Sequence, residues 1–118
     1  MATIPFVKTV SHDGSDATVI KYVWAGLSAG DDGEAIALPS FADRSIQVGG
    51  EFGVGGAVTI KGSIITDQWD TLSDPQGNPL VFSGPKIETI TEMVELLKPM
   101  VAGDGTTSVN IAILVRKV

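Results

Sequence analysis

The chain has 118 residues, 14 of them acidic against 8 lysines and arginines, with no cysteine. A net charge of −6 with no basic cluster argues against nucleic acid as a partner, and the missing thiols exclude disulfides and thiolate metal sites. With 43% hydrophobic residues and 14 glycines, the chain is too apolar for general disorder and suits one domain, residues 1–118, rich in tight turns.

Residues 1–16 carry little periodicity and read as an extended N-terminal arm ending in the turn-prone Ser11-His12-Asp13-Gly14-Ser15-Asp16. Pro5 disfavours helix and pushes Ile4 toward extended backbone. The start, Met1 to Phe6, lacks the basic residues and apolar core of a signal peptide, which predicts a protein made and retained, or assembled, in the cytoplasm. No apolar run approaches the roughly 20 residues of a membrane helix, so no membrane partner is expected. The arm's apolar residues Ile4, Phe6 and Val7 either pack on the domain or reach a neighbouring chain.

Thr18 to Leu27 is a strand candidate that is apolar on both faces. Alternation places Val19, Val23, Ala25 and Leu27 on one side, and Ile20, Tyr22 and Trp24 on the other. Either its own chain covers the strand twice, or the aromatic face meets a partner; aromatic side chains are common anchors at such contacts. Ile4, Phe6, Tyr22 and Trp24 are therefore the candidate partner-contact residues.

Ala29 to Glu34 is a turn, followed by a short strand from Ala35 to Leu38. Ser45 to Phe52, Ala57 to Ile65 and Ser108 to Arg116 alternate apolar and polar residues between glycine-bearing turns. This pattern puts Ile46, Val48, Phe52, Val58, Ile60, Val109, Ile111, Ile113 and Val115 in a core. Trp69 to Leu72 reads as extended, Asp74 to Pro79 as a turn built on Pro75 and Gly77, and Leu80 to Phe82 as a brief strand. From Pro85 to Met100 the favoured arrangement is a short helical piece over 86–93, then a strand over 94–102. A single helix over 86–98 is the alternative, because Ile87, Ile90, Val94 and Leu97 lie at helical spacing and Pro99 stops any helix. The sum is an all-β antiparallel sandwich of jelly-roll type, with about eight short strands and at most one short helix.

No motif for catalysis stands out. Asp31, Asp32 and Glu34 form the densest carboxylate group, but they lack the alternating ligand spacing of a calcium loop and read as a solvated turn. His12 is the sole histidine, which excludes a multi-histidine metal site, and adjacent Ser11, His12 and Asp13 cannot form a triad. The glycine stretches at 49–50 and 53–56 match no phosphate-binding fingerprint. Trp69, beside Asp67 and Asp70, fits an edge-packing or core residue better than a sugar-stacking one. The expectation is no enzyme, no catalytic residue, no metal and no cofactor.

From about Phe41 onward the chain resembles small proteins encoded beside capsid genes in tailed bacteriophages. The resembling segments are Ala42-Asp43-Arg44-Ser45-Ile46-Gln47-Val48, Phe52-Gly53, Val58-Thr59-Ile60-Lys61-Gly62-Ser63, Trp69 through Leu80, Leu97-Lys98-Pro99-Met100-Val101 and Gly103-Asp104-Gly105-Thr106-Thr107, with the last strand through Arg116. Such proteins are similar to jelly-roll decoration, or cement, proteins that staple major capsid subunits on the outside of the head. The resemblance implies a structural virion protein on the capsid exterior, made in the host cytoplasm, with the major capsid protein and other copies of itself as partners. A carbohydrate- or receptor-binding jelly-roll module of a virion is the alternative. Ile64-Ile65-Thr66-Asp67-Gln68 departs from the glycine- and asparagine-rich turn that often follows the second central strand, and the first 40 residues match no quoted segment.

Overall fold

The computed structural model describes residues 2–14, 18–37 and 43–117. In chain order the strands are β1 (Thr3–Ile4), β2 (Val7–Asp13), β3 (Thr18–Leu27), β4 (Asp32–Gly33), β5 (Ile36–Ala37) and β6 (Asp43–Glu51). They continue with β7 (Ala57–Ser63), β8 (Asp70–Thr71), β9 (Val81–Phe82), β10 (Lys86–Thr89), β11 (Leu96–Ala102) and β12 (Ser108–Lys117). Met1, Ser15 and Asp16 of the expected arm, Leu38 of the expected short strand, and Phe41 and Ala42 of the resembling segment lie outside the described residues.

The strands form two sheets. One is five-stranded in the order β10-β6-β12-β3-β2, antiparallel throughout. The other follows β1-β4-β11-β7-β8, with β5 added on β11 and β9 on β7. Among the described residues only the two-residue pair β1/β4 runs parallel. The chain changes sheet from β1 to β2, β3 to β4, β5 to β6, β6 to β7, β9 to β10, β10 to β11 and β11 to β12. Strand order β3-β12-β6-β10 facing β4/β5-β11-β7-β8/β9 is that of a jelly roll.

All nine residues expected in the core are buried between the sheets. In β6 the alternation is strict: Arg44, Ile46 and Val48 point in while Asp43, Ser45 and Gln47 point out. Burying one face in this way sets the register, because a one-residue slip would expose every inward side chain.

The expected helical piece at 86–93 is absent. Lys86–Thr89 is instead a strand paired with β6, from Lys86 opposite Val48 to Thr89 opposite Ser45. The edge of β6 offers backbone partners that satisfy this segment, and its β-branched residues suit extended backbone. Ile90 and Val94 are buried but Ile87 is 64% exposed, so the apparent helical stripe never shares one face. Pro99 sits within β11 without disrupting it: Leu96 and Leu97 pair with β5 and Met100 with β4. Its missing N–H therefore falls in the gap between those two partners.

β3 also departs from simple alternation. Trp24 pairs with Ile111 and Leu27 with Val109, with a register shift between them, and Gly26 adopts φ 69°. This bulge turns Leu27 to the same interior as Trp24.

Candidate interaction surfaces

The four residues selected as partner contacts lie together, but as part of the core wall. Tyr22 is 5% exposed and Trp24 fully buried, so neither offers a surface anchor, which corrects the expectation drawn from their aromatic character. Ile4 and Phe6 are half-buried against that core. The Phe6 ring meets Tyr22 edge-on, with centroids 5.1 Å apart, and Trp24 likewise at 6.2 Å. The Trp24 Nε1–H donates to the Glu34 carbonyl at 3.1 Å, and burial pushes the Tyr22 phenol up. The open side of β3 is the opposite one, where Val19 and Val23 are half-buried and Ala25 is exposed.

The acidic turn, expected to be solvated, holds the N-terminal segment. Asp31 is buried and accepts hydrogen bonds from Ala2 N–H at 3.0 Å and Ser28 N–H at 2.9 Å. Asp32 N–H donates to Ala2 O at 3.0 Å, and Glu34 N–H to Ile4 O at 2.8 Å. Thr3 Oγ1 donates to Asp32 Oδ1 at 2.9 Å, and Phe6 N–H to Glu34 Oε1 at 3.2 Å. Gly33 allows the close approach: a Cβ there would lie 2.6 Å from Trp24 Nε1 and 2.7 Å from the Pro99 ring. Each of these carboxylates takes a donor of the N-terminal segment, a backbone N–H at Asp31 and Glu34 and the Thr3 hydroxyl at Asp32, a use that composition alone does not reveal.

Burial pushes the Asp32 carboxyl up, but hydrogen bonds from Lys98 and Thr3 and the Lys98 charge more than reverse this, leaving it below its ordinary value. Lys98 Nζ lies 3.0 Å from Asp32 Oδ2 and 4.6 Å from the centroid of the Trp69 ring. That ring thus already has a cation on one face. His12 lies in the exposed strand β2. Among the described residues no group of three or more His, Cys, Asp or Glu side chains could hold a metal ion, and no helix is long and apolar enough to cross a membrane.

Among the described residues, Val81 and Met100 on the seven-stranded sheet and Val54 in the β6–β7 connection are exposed apolar groups, and two further surfaces gather several each. The first is the outer face of the five-stranded sheet. Pairing aligns Ile87, Gln47, Ala112, Val23 and Val7 in one row across all five strands. Ile87 and Val7 at its ends are 64% and 66% exposed, and Leu114 in the next row 43%. β2 is exposed along its whole length and is the edge strand of this sheet among the described residues.

The second surface is the end of the sandwich where β7 passes to β8 and β10 to β11. Ile64, Ile65 and Met93 stand out there at 63%, 61% and 76% exposure. A shallow depression beside them is lined by Ile64, Ile65, Gln68, Leu72, Glu92 and Val94. The sequence reading marked 64–68 only as a departure from the resembling pattern. The strand expected from Ala57 to Ile65 ends at Ser63, and the signal for this is the pair of adjacent isoleucines, which breaks the alternation.

No protein-family model matches the sequence, and no curated protein matches it. Among solved structures, the fold is similar to that of the SPBc2 prophage-derived protein YomS, with a TM-score of 0.64 and 9% identity. The likeness covers 84% of this chain and 95% of that one. A cupin domain from Bordetella pertussis Tohama I aligns over 98% of this chain and 97% of its own, at 15% identity and a TM-score of 0.42. At 9% identity the likeness to YomS is one of fold.

Proposed function

We propose that this chain is a non-enzymatic structural protein of a phage particle, docking on the exterior of the head, bridging neighbouring major capsid subunits and stiffening the shell. The observation that carries the reading is the contrast between a fully packed jelly-roll core and large apolar side chains left open on one sheet face and one end. A rigid sandwich with such surfaces gains by burying them on a larger body. The sequence resemblance to decoration proteins and the prophage derivation of a protein with this fold both support a phage setting. Many modest contacts repeated by capsid symmetry raise avidity far beyond one interface. On this reading the protein is made in the host cytoplasm and ends on the virion surface.

The test compares purified heads with and without the chain. Decorated heads are expected to break at higher temperature and under stronger osmotic shock. Equal stability of the two, or location of the chain solely in the tail, sinks the proposal.

A further inference from the structure

We infer that the end of the sandwich carrying Ile64, Ile65 and Met93 is a preformed docking knob that enters an apolar depression rimmed by lysine or arginine on a partner protein. This rests on the function proposed above, which makes the partner the capsid subunit.

The apolar groups are held in place. Ser63, itself buried, donates from Oγ to the Ile65 carbonyl at 2.7 Å, and Gln68 N–H donates to the same oxygen at 3.1 Å. Asp67 closes the turn in the left-handed region at φ 64°, a conformation that aspartate tolerates better than most side chains. Glu95 N–H donates to Ser63 O at 3.1 Å, and Ser73 N–H donates to Glu92 Oε1. These two bonds tie the connection bearing Met93 to the β7–β8 region from both sides. Isoleucine has few rotamers, so two isoleucines on a hydrogen-bonded turn lose little freedom when covered. Exposure of this kind on a fixed turn suits an interface anchor better than a mobile loop does.

The charge around the knob selects the occupant. Asp67, Asp70, Glu92 and Glu95 are all exposed in the two connections, and the stretches 64–72 and 90–95 contain no lysine or arginine. Lys61, opposite Thr71 in register, and Lys98, over the Trp69 ring and paired with Asp32, border this end from the sheet. An anionic lipid surface or a nucleic acid would face repulsion here. A second copy docking through the same end would bring like charges together. A protein surface with an apolar hollow and a basic rim satisfies both the isoleucines and the carboxylates.

The test measures binding of purified chain to heads assembled without it. The double variant Ile64→Ser/Ile65→Ser is expected to bind about 30-fold or more weakly, and Met93→Ser several-fold more weakly. Melting should be unchanged, because the replaced groups are already in solvent. Val54→Ser, at an 81% exposed position in the β6–β7 connection, should bind as the wild type does. Glu95→Lys should weaken binding at low salt and lose that effect at high salt. Wild-type binding with undiminished binding of the isoleucine variant overturns the knob and leaves the decorating role intact. Tighter binding by Glu95→Lys overturns the basic rim. Absence of wild-type binding to heads overturns the decorating role and the knob with it.

Discussion

The Ala2 N–H donates to Asp31 Oδ1 at 3.0 Å, joining residues 29 positions apart and fastening the start of the chain to a buried carboxylate. The same carboxylate takes the Ser28 N–H through Oδ2 at 2.9 Å, so one side chain both shapes its own turn and holds β1.

Asp31→Ala should therefore do two things. Removing an acceptor that serves two donors is expected to cost about 1–3 kcal/mol of stability. Amide exchange at residues 2–6 should also accelerate more than exchange in β6 or β12. Unchanged protection of residues 2–6 in this variant would show that the backbone pairing with β4 and the apolar contacts hold β1 without Asp31.

Acid should weaken the fold through a small set of carboxylates. Asp32 lies below its ordinary value because Lys98 and Thr3 outweigh its desolvation. Asp104 is lowered by the Thr106 hydroxyl, the Thr106 N–H and the Val54 N–H, with Thr107 also contributing. A carboxyl depressed in the folded state contributes stability that is fully present above its unfolded value and is lost as pH falls through its folded value. Melting temperature should thus hold steady with respect to these two groups above about pH 5 and fall below about pH 4. Asp32→Asn and Lys98→Met should each flatten part of that fall, the second because losing the Lys98 hydrogen bond and charge returns the folded Asp32 carboxyl toward its unfolded value. An acid transition identical in all three proteins would rule out the Lys98–Asp32 pair as a contributor.

Arg44 points into the sandwich from β6, only 6% exposed, and its Nε and Nη1 have no hydrogen-bond partner. Burial pushes its guanidinium down, yet the group stays protonated at any ordinary pH, with two of its nitrogens buried and unbonded. Arg44→Met keeps the stem that packs between the sheets and removes the charge. The expected result is a stability gain of about 1–3 kcal/mol, the order of an unsatisfied buried polar group, read as a higher denaturant midpoint with an unchanged slope. A loss of stability in Arg44→Met would mean that the guanidinium has an acceptor in solution.

The long strands are legible in the residues themselves. Ile46 and Val48, or Val109 through Val115, alternate with polar neighbours because one sheet face is buried, and that constraint is written at period two along the chain. Turns such as Asp74–Asn78 are equally local: Asp74 Oδ1 accepts from the N–H groups of Gln76 and Asn78, all within a few residues. By contrast, Lys86–Thr89 misleads because helical spacing and an edge strand both accept the same short apolar pattern, and the free edge of β6 decides between them.

What the sequence determined on its own is the all-β class, the nine core positions along the long strands and the sites of the principal turns, since each follows from pairings of neighbouring residues with solvent or interior. What only the tertiary structure decided is which apolar groups face outward. The inner face of β3 depends on β12 and on a bulge whose Gly26 N–H bonds Asn110, 84 residues away. The burial of Tyr22 and Trp24, the use of the acidic turn as a clasp and the exposure of Ile64 and Ile65 likewise arise from contacts between distant segments, and local patterning carries no record of them.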